Sequence, residues 1–191
     1  MSNTSTKPKK SNWRFKTLRL RDLKKLQITN ELDHIIREFS NQLETSNESL
    51  ILPGLWLGNK YTAKDIDFII NITDDINNEF DFISYTNFKI RDIMACENSR
   101  KETEIDTLGI LRRGSEIINT ALGNNMSVLV HCKRGHHRSA SIIAFYLMKY
   151  HHYTLPAALR LIKTIRPRAF RRRSCMMDTL IDYETNRYID S

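Results

Sequence analysis

A cysteine, an arginine six positions later and a serine directly after it mark the stretch best suited to chemistry: Val128-Leu129-Val130-His131-Cys132-Lys133-Arg134-Gly135-His136-His137-Arg138-Ser139. The apolar run before Cys132 has strand character, and the long apolar segment after Arg138 has helix character. Between them, a basic loop with one glycine can curl over the helix start and turn its backbone N–H groups inward, with sulfur at the floor and guanidinium on the wall. Such a cradle suits a phosphate dianion. Oriented amides, a helix N-terminus and a nearby guanidinium can bring a thiol from about 8.5 to roughly 3.5–7.5, so Cys132 is expected to be a thiolate at neutral pH. Arg138 can hold two phosphoryl oxygens at once, and Ser139 can hydrogen-bond the sulfur when it leaves.

This loop, with His131 before the cysteine, resembles the signature of the cysteine-dependent protein tyrosine phosphatase superfamily. LPGLWLGN at 52–59, FIINIT at 68–73, RSASIIAFYLMKY at 138–150 and LPAALRLIKTIRP at 155–167 narrow the resemblance to the dual-specificity phosphatases, over about residues 50–185. The resemblance implies phosphate binding by Lys133, Arg134, Gly135, His136, His137 and Arg138, and a supporting role for His131 in ordering the loop and tuning the thiolate. It also implies a general acid on a loop after a strand, a few tens of residues before the cysteine. In FKIRDIMACENS the register favours Asp92 over Glu97, while Asp74 and Asp75 follow a different strand. A proton must reach the departing oxygen, so an acid opposite the thiolate is required for the fast reaction.

The histidines invite a metal reading, since Cys132, His136 and His137 are close and His151-His152 follow. Adjacent histidines seldom converge on one ion, and no CxxC or HxxxH pair completes a tetrahedral set, so no metal and no cofactor are expected. No GxxxxGK[ST] supports nucleotide binding.

The elements that must position these groups are legible in outline. Residues 1–17 are polar and basic and read as a disordered tail, in which KPKK is either a solvated run or a nuclear address. Over 18–45, Ile28, Leu32, Ile35, Ile36, Phe39 and Leu43 recur at helical spacing, giving an amphipathic extension whose stripe either packs on the parent domain or meets another chain. Similarity to poxvirus-type dual-specificity phosphatases, where an N-terminal helix joins two subunits, points to a homodimer through residues 20–44. The catalytic domain is then 46–191. ILPGLWLGN reads as an opening strand with a turn at Pro53-Gly54, FIINIT as a strand buried on both faces, and residues 83–90 as a strand delivering Arg91-Asp92. A helix over 104–122 with Gly123 at its cap, a central helix over 139–151, one capped by Thr154 and stopped by Pro167, and a last one from about Ser174 complete the chain. The fold class is α/β: a small, mostly parallel sheet flanked by helices on both faces, with an N-terminal helical extension.

No apolar run approaches the roughly 18 residues of a membrane span, and the polar N-terminus has no apolar signal core, so an intracellular, cytoplasmic protein is expected. Three unpaired-looking cysteines, Cys96, Cys132 and Cys175, argue against a secreted disulfide scaffold. The net charge of +8 points to polyanionic partners, foremost acidic or multiply phosphorylated phosphoproteins, and leaves nucleic acid open. Two departures from the common family pattern bear on function. Lys133, Arg134, His136 and His137 make the loop rim unusually cationic, which raises inositol polyphosphates or pyrophosphates, phosphoinositides and RNA 5′-triphosphates as alternatives to phosphoprotein. RPRAFRRR at 166–173 stands where the family has a Pro-Asn segment whose asparagine braces the loop. A catalytically dead phospho-binding module is disfavoured, because Cys132, Arg138, Ser139 and a candidate acid are all present.

Overall fold

A computed structural model describes residues 11–43, 46–62, 65–78, 80–90, 106–171 and 174–189, with the backbone alone described at 11–18, 175 and 188–189. Its five strands are β1 (Glu48–Leu52), β2 (Leu55–Gly58), β3 (Phe68–Asn71), β4 (Ser84–Asn87) and β5 (Val128–His131), in sheet order β1-β2-β5-β3-β4. Only the β1–β2 pair is antiparallel; β2–β5, β5–β3 and β3–β4 are parallel. The mixed, mostly parallel sheet is the expected one. The opening segment is a hairpin rather than a single strand, because Gly54 takes the left-handed conformation (φ +77°) that lets the chain reverse after Pro53.

In β5, Val128 and Val130 face the large core, while Leu129 and His131 point to the other side. The helices are α1 (Ser11–Glu38), α2 (Thr107–Gly123), α3 (Arg138–Tyr150), α4 (Leu155–Ile165) and α5 (Cys175–Ile189). All of them meet in the large core, around α3, whose residues 138–148 are buried. The opposite face carries a smaller cluster of Ile66, Ile69 and Leu129 with Trp56, Phe80, Ile83 and Tyr85, drawn from strands and loops. The Asp106 carboxylate caps α2 by accepting from the Gly109 amide at 2.7 Å, and the Thr154 hydroxyl caps α4 from Ala157. Gly123 is the last residue of α2; the left-handed turn expected there falls to Asn125 (φ 59°), whose side chain tolerates it.

Two expectations about the N-terminal segment need correction. The helix begins at Ser11, inside the segment expected to be a disordered tail, and ends at Glu38 rather than near 45; once nucleated by packing, a run rich in Lys, Arg and Leu continues at little cost per residue. The apolar stripe meant for a second subunit is buried in cis: Ile28, Leu32, Ile35 and Phe39 are at most 8% exposed, against α4 and α5. Flanking ion pairs hold the same face, Lys25 with Asp182 at 2.6 Å and Arg160 with Glu38 at 2.9 Å. A homodimer through 20–44 loses its stripe; the large apolar side chains left exposed there are Leu20, Leu23 and Leu26 on the other side of α1, and Leu43 beyond it. Among the described residues, no helix is long and apolar enough to cross a membrane.

Candidate active site

The registers Gly58↔His131 and Asn71↔His131 bring the carboxyl ends of β2, β5 and β3 to one edge. That edge is where ligands bind in open α/β sheets, and the loop from Cys132 to His137 leaves it from the central strand. Cys132 lies 3% exposed at the floor. Ser139, in the first turn of α3, donates its hydroxyl to the Cys132 sulfur at 3.2 Å. Burial by itself pushes the Cys132 thiol up, but the Ser139 hydroxyl and amide, the Arg138 charge and the Arg134 amide outweigh it and hold the thiol below its usual range. The N-terminus of α3 adds its dipole on the same side.

Arg138 is 5% exposed and donates Nη1 to the Ile90 carbonyl at 2.5 Å. This contact fixes the guanidinium on the wall and ties the end of the segment after β4 to the cradle. Asp92 and Glu97 lie outside the described residues; Asp92 follows Ile90 by two positions.

Lys133 and Arg134 are exposed on the rim, whereas Gly135, His136 and His137 are buried. The Lys133 ammonium is held by Asp75 at 2.9 Å. Sequence reasoning set Asp75 aside for following another strand, but β3 lies directly beside β5, so the loop after it borders the cradle. Asn71 pins that loop through Nδ2 to the Ile76 carbonyl and the Asn78 side chain, and through Oδ1 accepting from Thr73. The hydrogen bond from Lys133 holds the Asp75 carboxyl below the usual range, and the Arg138 charge acts the same way. The Asp75 carboxylate is thus engaged by the Lys133 ammonium.

His131 turns to the opposite face, where its ring lines a cavity of about 20 Å³ with Asn59, Lys60 and Thr62, room for one water. Burial, with help from the Arg138 charge, pulls its pKa down to about 4, so the ring is neutral at pH 7. The rings of His136 and His137 meet edge to face, with centroids 6.4 Å apart.

Gly135 stands at φ +65°, and a Cβ there would collide with the Gly58 carbonyl and press on Arg166. That arginine is the main feature sequence reasoning missed. It is fully buried; Nε donates to the Gly135 carbonyl at 3.0 Å, Nη2 to the Arg134 carbonyl at 3.2 Å, and Nη1 to the Ser46 carbonyl and the Ser49 hydroxyl at 3.3 Å each. The Phe170 amide donates to the His136 carbonyl at 2.7 Å. The only signal in the sequence was position: Arg166 and Phe170 occupy the segment that replaces the expected asparagine brace.

The family described as dual specificity phosphatase, catalytic domain, matches residues 55–186. The protein phosphatase Slingshot homolog of Xenopus laevis is 30% identical over 156 residues, 77% of this chain and 20% of that protein. Human protein phosphatase Slingshot homolog 1 is 32% identical over 127 residues, 62% of this chain and 11% of that protein. The chain thus spans about a fifth or less of these relatives. Human DUSP28 superposes with a TM-score of 0.62 at 18% identity, over 76% of this chain and 97% of that one. PTPMT1 in complex with PI(5)P does so with a TM-score of 0.59 at 19% identity, over 75% and 99%. Both structural likenesses speak to fold. With the matched residues enclosing the whole cradle from β2 to α5, the chain belongs to the family of dual specificity phosphatase catalytic domains.

Proposed function

We propose that this chain, through a catalytic unit at 46–191, hydrolyses phosphotyrosine and phosphoserine or phosphothreonine in proteins by way of a phosphocysteine. The observation that carries the reading is a buried cysteine whose thiol is held low by Ser139, Arg138 and loop amides at the N-terminus of a buried helix. Cys132 attacks phosphorus in line, Arg138 and the amides hold the equatorial oxygens, and Asp92 protonates the leaving oxygen. Asp92 then takes a proton from water, which attacks phosphorus; phosphate leaves and the thiolate returns, stabilised by the Ser139 hydroxyl. The Arg138 contact with Ile90 supports Asp92, because it brings the chain two residues short of that carboxyl against the guanidinium.

A protein substrate is supported by the relatives, which are named protein phosphatases. The bond from Phe170 to His136 joins the 167–171 turn to the loop, and the exposed Arg168 and Arg171 of that turn, with exposed Arg134, support a preference for acidic or multiply phosphorylated peptides. The same arginines support a second reading, hydrolysis of a phosphoinositide or another non-protein polyanion, in line with the lipid headgroup named in the PTPMT1 complex. Turnover compared across a phosphotyrosine/phosphothreonine peptide, an inositol polyphosphate, a phosphoinositide and triphosphate-ended RNA separates the readings. The first is expected to be fastest, to persist in EDTA and to be blocked by vanadate. Faster turnover of any of the others moves the substrate class, and loss on chelation restored by a metal removes the metal-free mechanism.

A further inference from the structure

Three consecutive loop carbonyls, those of Arg134, Gly135 and His136, accept hydrogen bonds from the 166–170 turn. A peptide plane carries its N–H opposite its C=O. Carbonyls drawn outward by the turn therefore aim the amides of Gly135, His136 and His137 away from it, toward the cradle that a phosphoryl group would occupy. We infer that Arg166 is a positioning residue for this phosphate cradle, setting the direction and polarity of its amides from beneath without touching the substrate.

The inference rests on the reading of the loop as a phosphatase cradle and draws on three observations. Arg166 is fully buried, and the guanidinium spreads its donors over two loop carbonyls and over Ser46 and Ser49. A cation at the carbonyl end of a peptide also polarises its far N–H, so the charge of Arg166 reaches the cradle through the peptides it bonds. The turn itself is strained where it completes the brace: Phe170, fully buried, takes φ +52°, a conformation unfavourable for a non-glycine residue that persists only where the surroundings impose it. Behind the turn, Lys163 donates to the carbonyls of Pro167 and Ala169 at 2.7 Å each and lies over the Phe39 ring of the α1–β1 connection, so the brace is backed by the N-terminal extension.

Arg166→Met and Arg166→Lys test it with three readouts on the full chain: the pH midpoint of Cys132 alkylation by iodoacetamide, the Kd for tungstate, and thermal unfolding. The account expects Arg166→Met to raise the alkylation midpoint by about one pH unit or more, to weaken tungstate on the order of tenfold, and to lower kcat/KM in proportion. Arg166→Lys, which keeps a charge and part of the donor set, is expected to fall between. A merely structural arginine would lower the unfolding temperature and leave the midpoint and the tungstate Kd of the folded protein unchanged, and that result overturns the inference. If Arg166→Met does not fold, an Arg166→Lys protein with both values at wild type overturns it equally. A wild-type chain that binds no tungstate and alkylates like a free cysteine fails earlier, at the reading of the cradle itself.

Discussion

At the scale of single residues, chemistry rests on a few contacts whose removal has distinct signatures. Ser139 supplies the hydroxyl on the Cys132 sulfur at 3.2 Å, so Ser139→Ala is expected to raise the pH midpoint of Cys132 alkylation and to slow breakdown of the intermediate more than its formation; burst kinetics with an aryl phosphate check both. Asp92→Asn is expected to lower turnover by roughly 10²–10⁴-fold, with less effect on activated aryl phosphates; a crippled Glu97→Gln beside a near-normal Asp92→Asn reassigns the acid. His131 gives a pH signature of its own. Its pKa of about 4 lies below the ordinary 6.5, so between those values the unfolded chain binds a proton that the folded chain does not, and stability rises with pH across that window. The contribution is complete above pH 6.5, is lost as pH falls to 4, and amounts to about 3 kcal/mol. His131→Gln is expected to flatten that part of the stability curve in urea titrations. That Cys132, Arg138 and Ser139 come together was legible in the sequence because a six-residue spacing after an apolar strand constrains geometry strongly. The neutrality of His131 and the place of Asp75 were not, because both follow from which strand lies beside which.

At the scale of elements, α3, α4 and α5 were legible to within a residue or so, since their apolar periodicity, the Thr154 cap and the Pro167 stop act locally. The partner of α1 was not, because a helical stripe shows that a face will be covered without showing by what. Its cis packing predicts that a chain starting at Ser46 unfolds at a lower temperature than the full chain, with Ile28, Leu32, Ile35 and Phe39 no longer covering α4 and α5. An equal unfolding temperature would show that α1 contributes no stability to the domain. Lys163 of α4 is buried with its ammonium shared between two carbonyls of the brace turn. Lys163→Met orphans both carbonyls and is expected to destabilise by about 1–3 kcal/mol for each, measured by denaturant unfolding.

For the whole molecule, the proposed preference for acidic substrates rests on a net charge of +8 and on the exposed Arg134, Arg168 and Arg171. Replacing Arg168 and Arg171 with Ala is expected to raise KM for doubly phosphorylated peptides, to weaken their salt dependence and to spare small aryl phosphates. An equal loss on every substrate would instead make these arginines supports of the loop. Family membership and the sheet order make the cradle the centre of the molecule, and its central claim is a covalent one, that Cys132 carries the phosphoryl group. Acid quenching of the full chain during turnover of a phosphotyrosine peptide, followed by mass spectrometry of its peptides, tests this most directly. The account expects one phosphoryl group on the peptide containing Cys132, more of it in Ser139→Ala, and none in a folded Cys132→Ser, which turns over no substrate. Continued turnover by Cys132→Ser, or a phosphoryl group trapped on another residue, would contradict it.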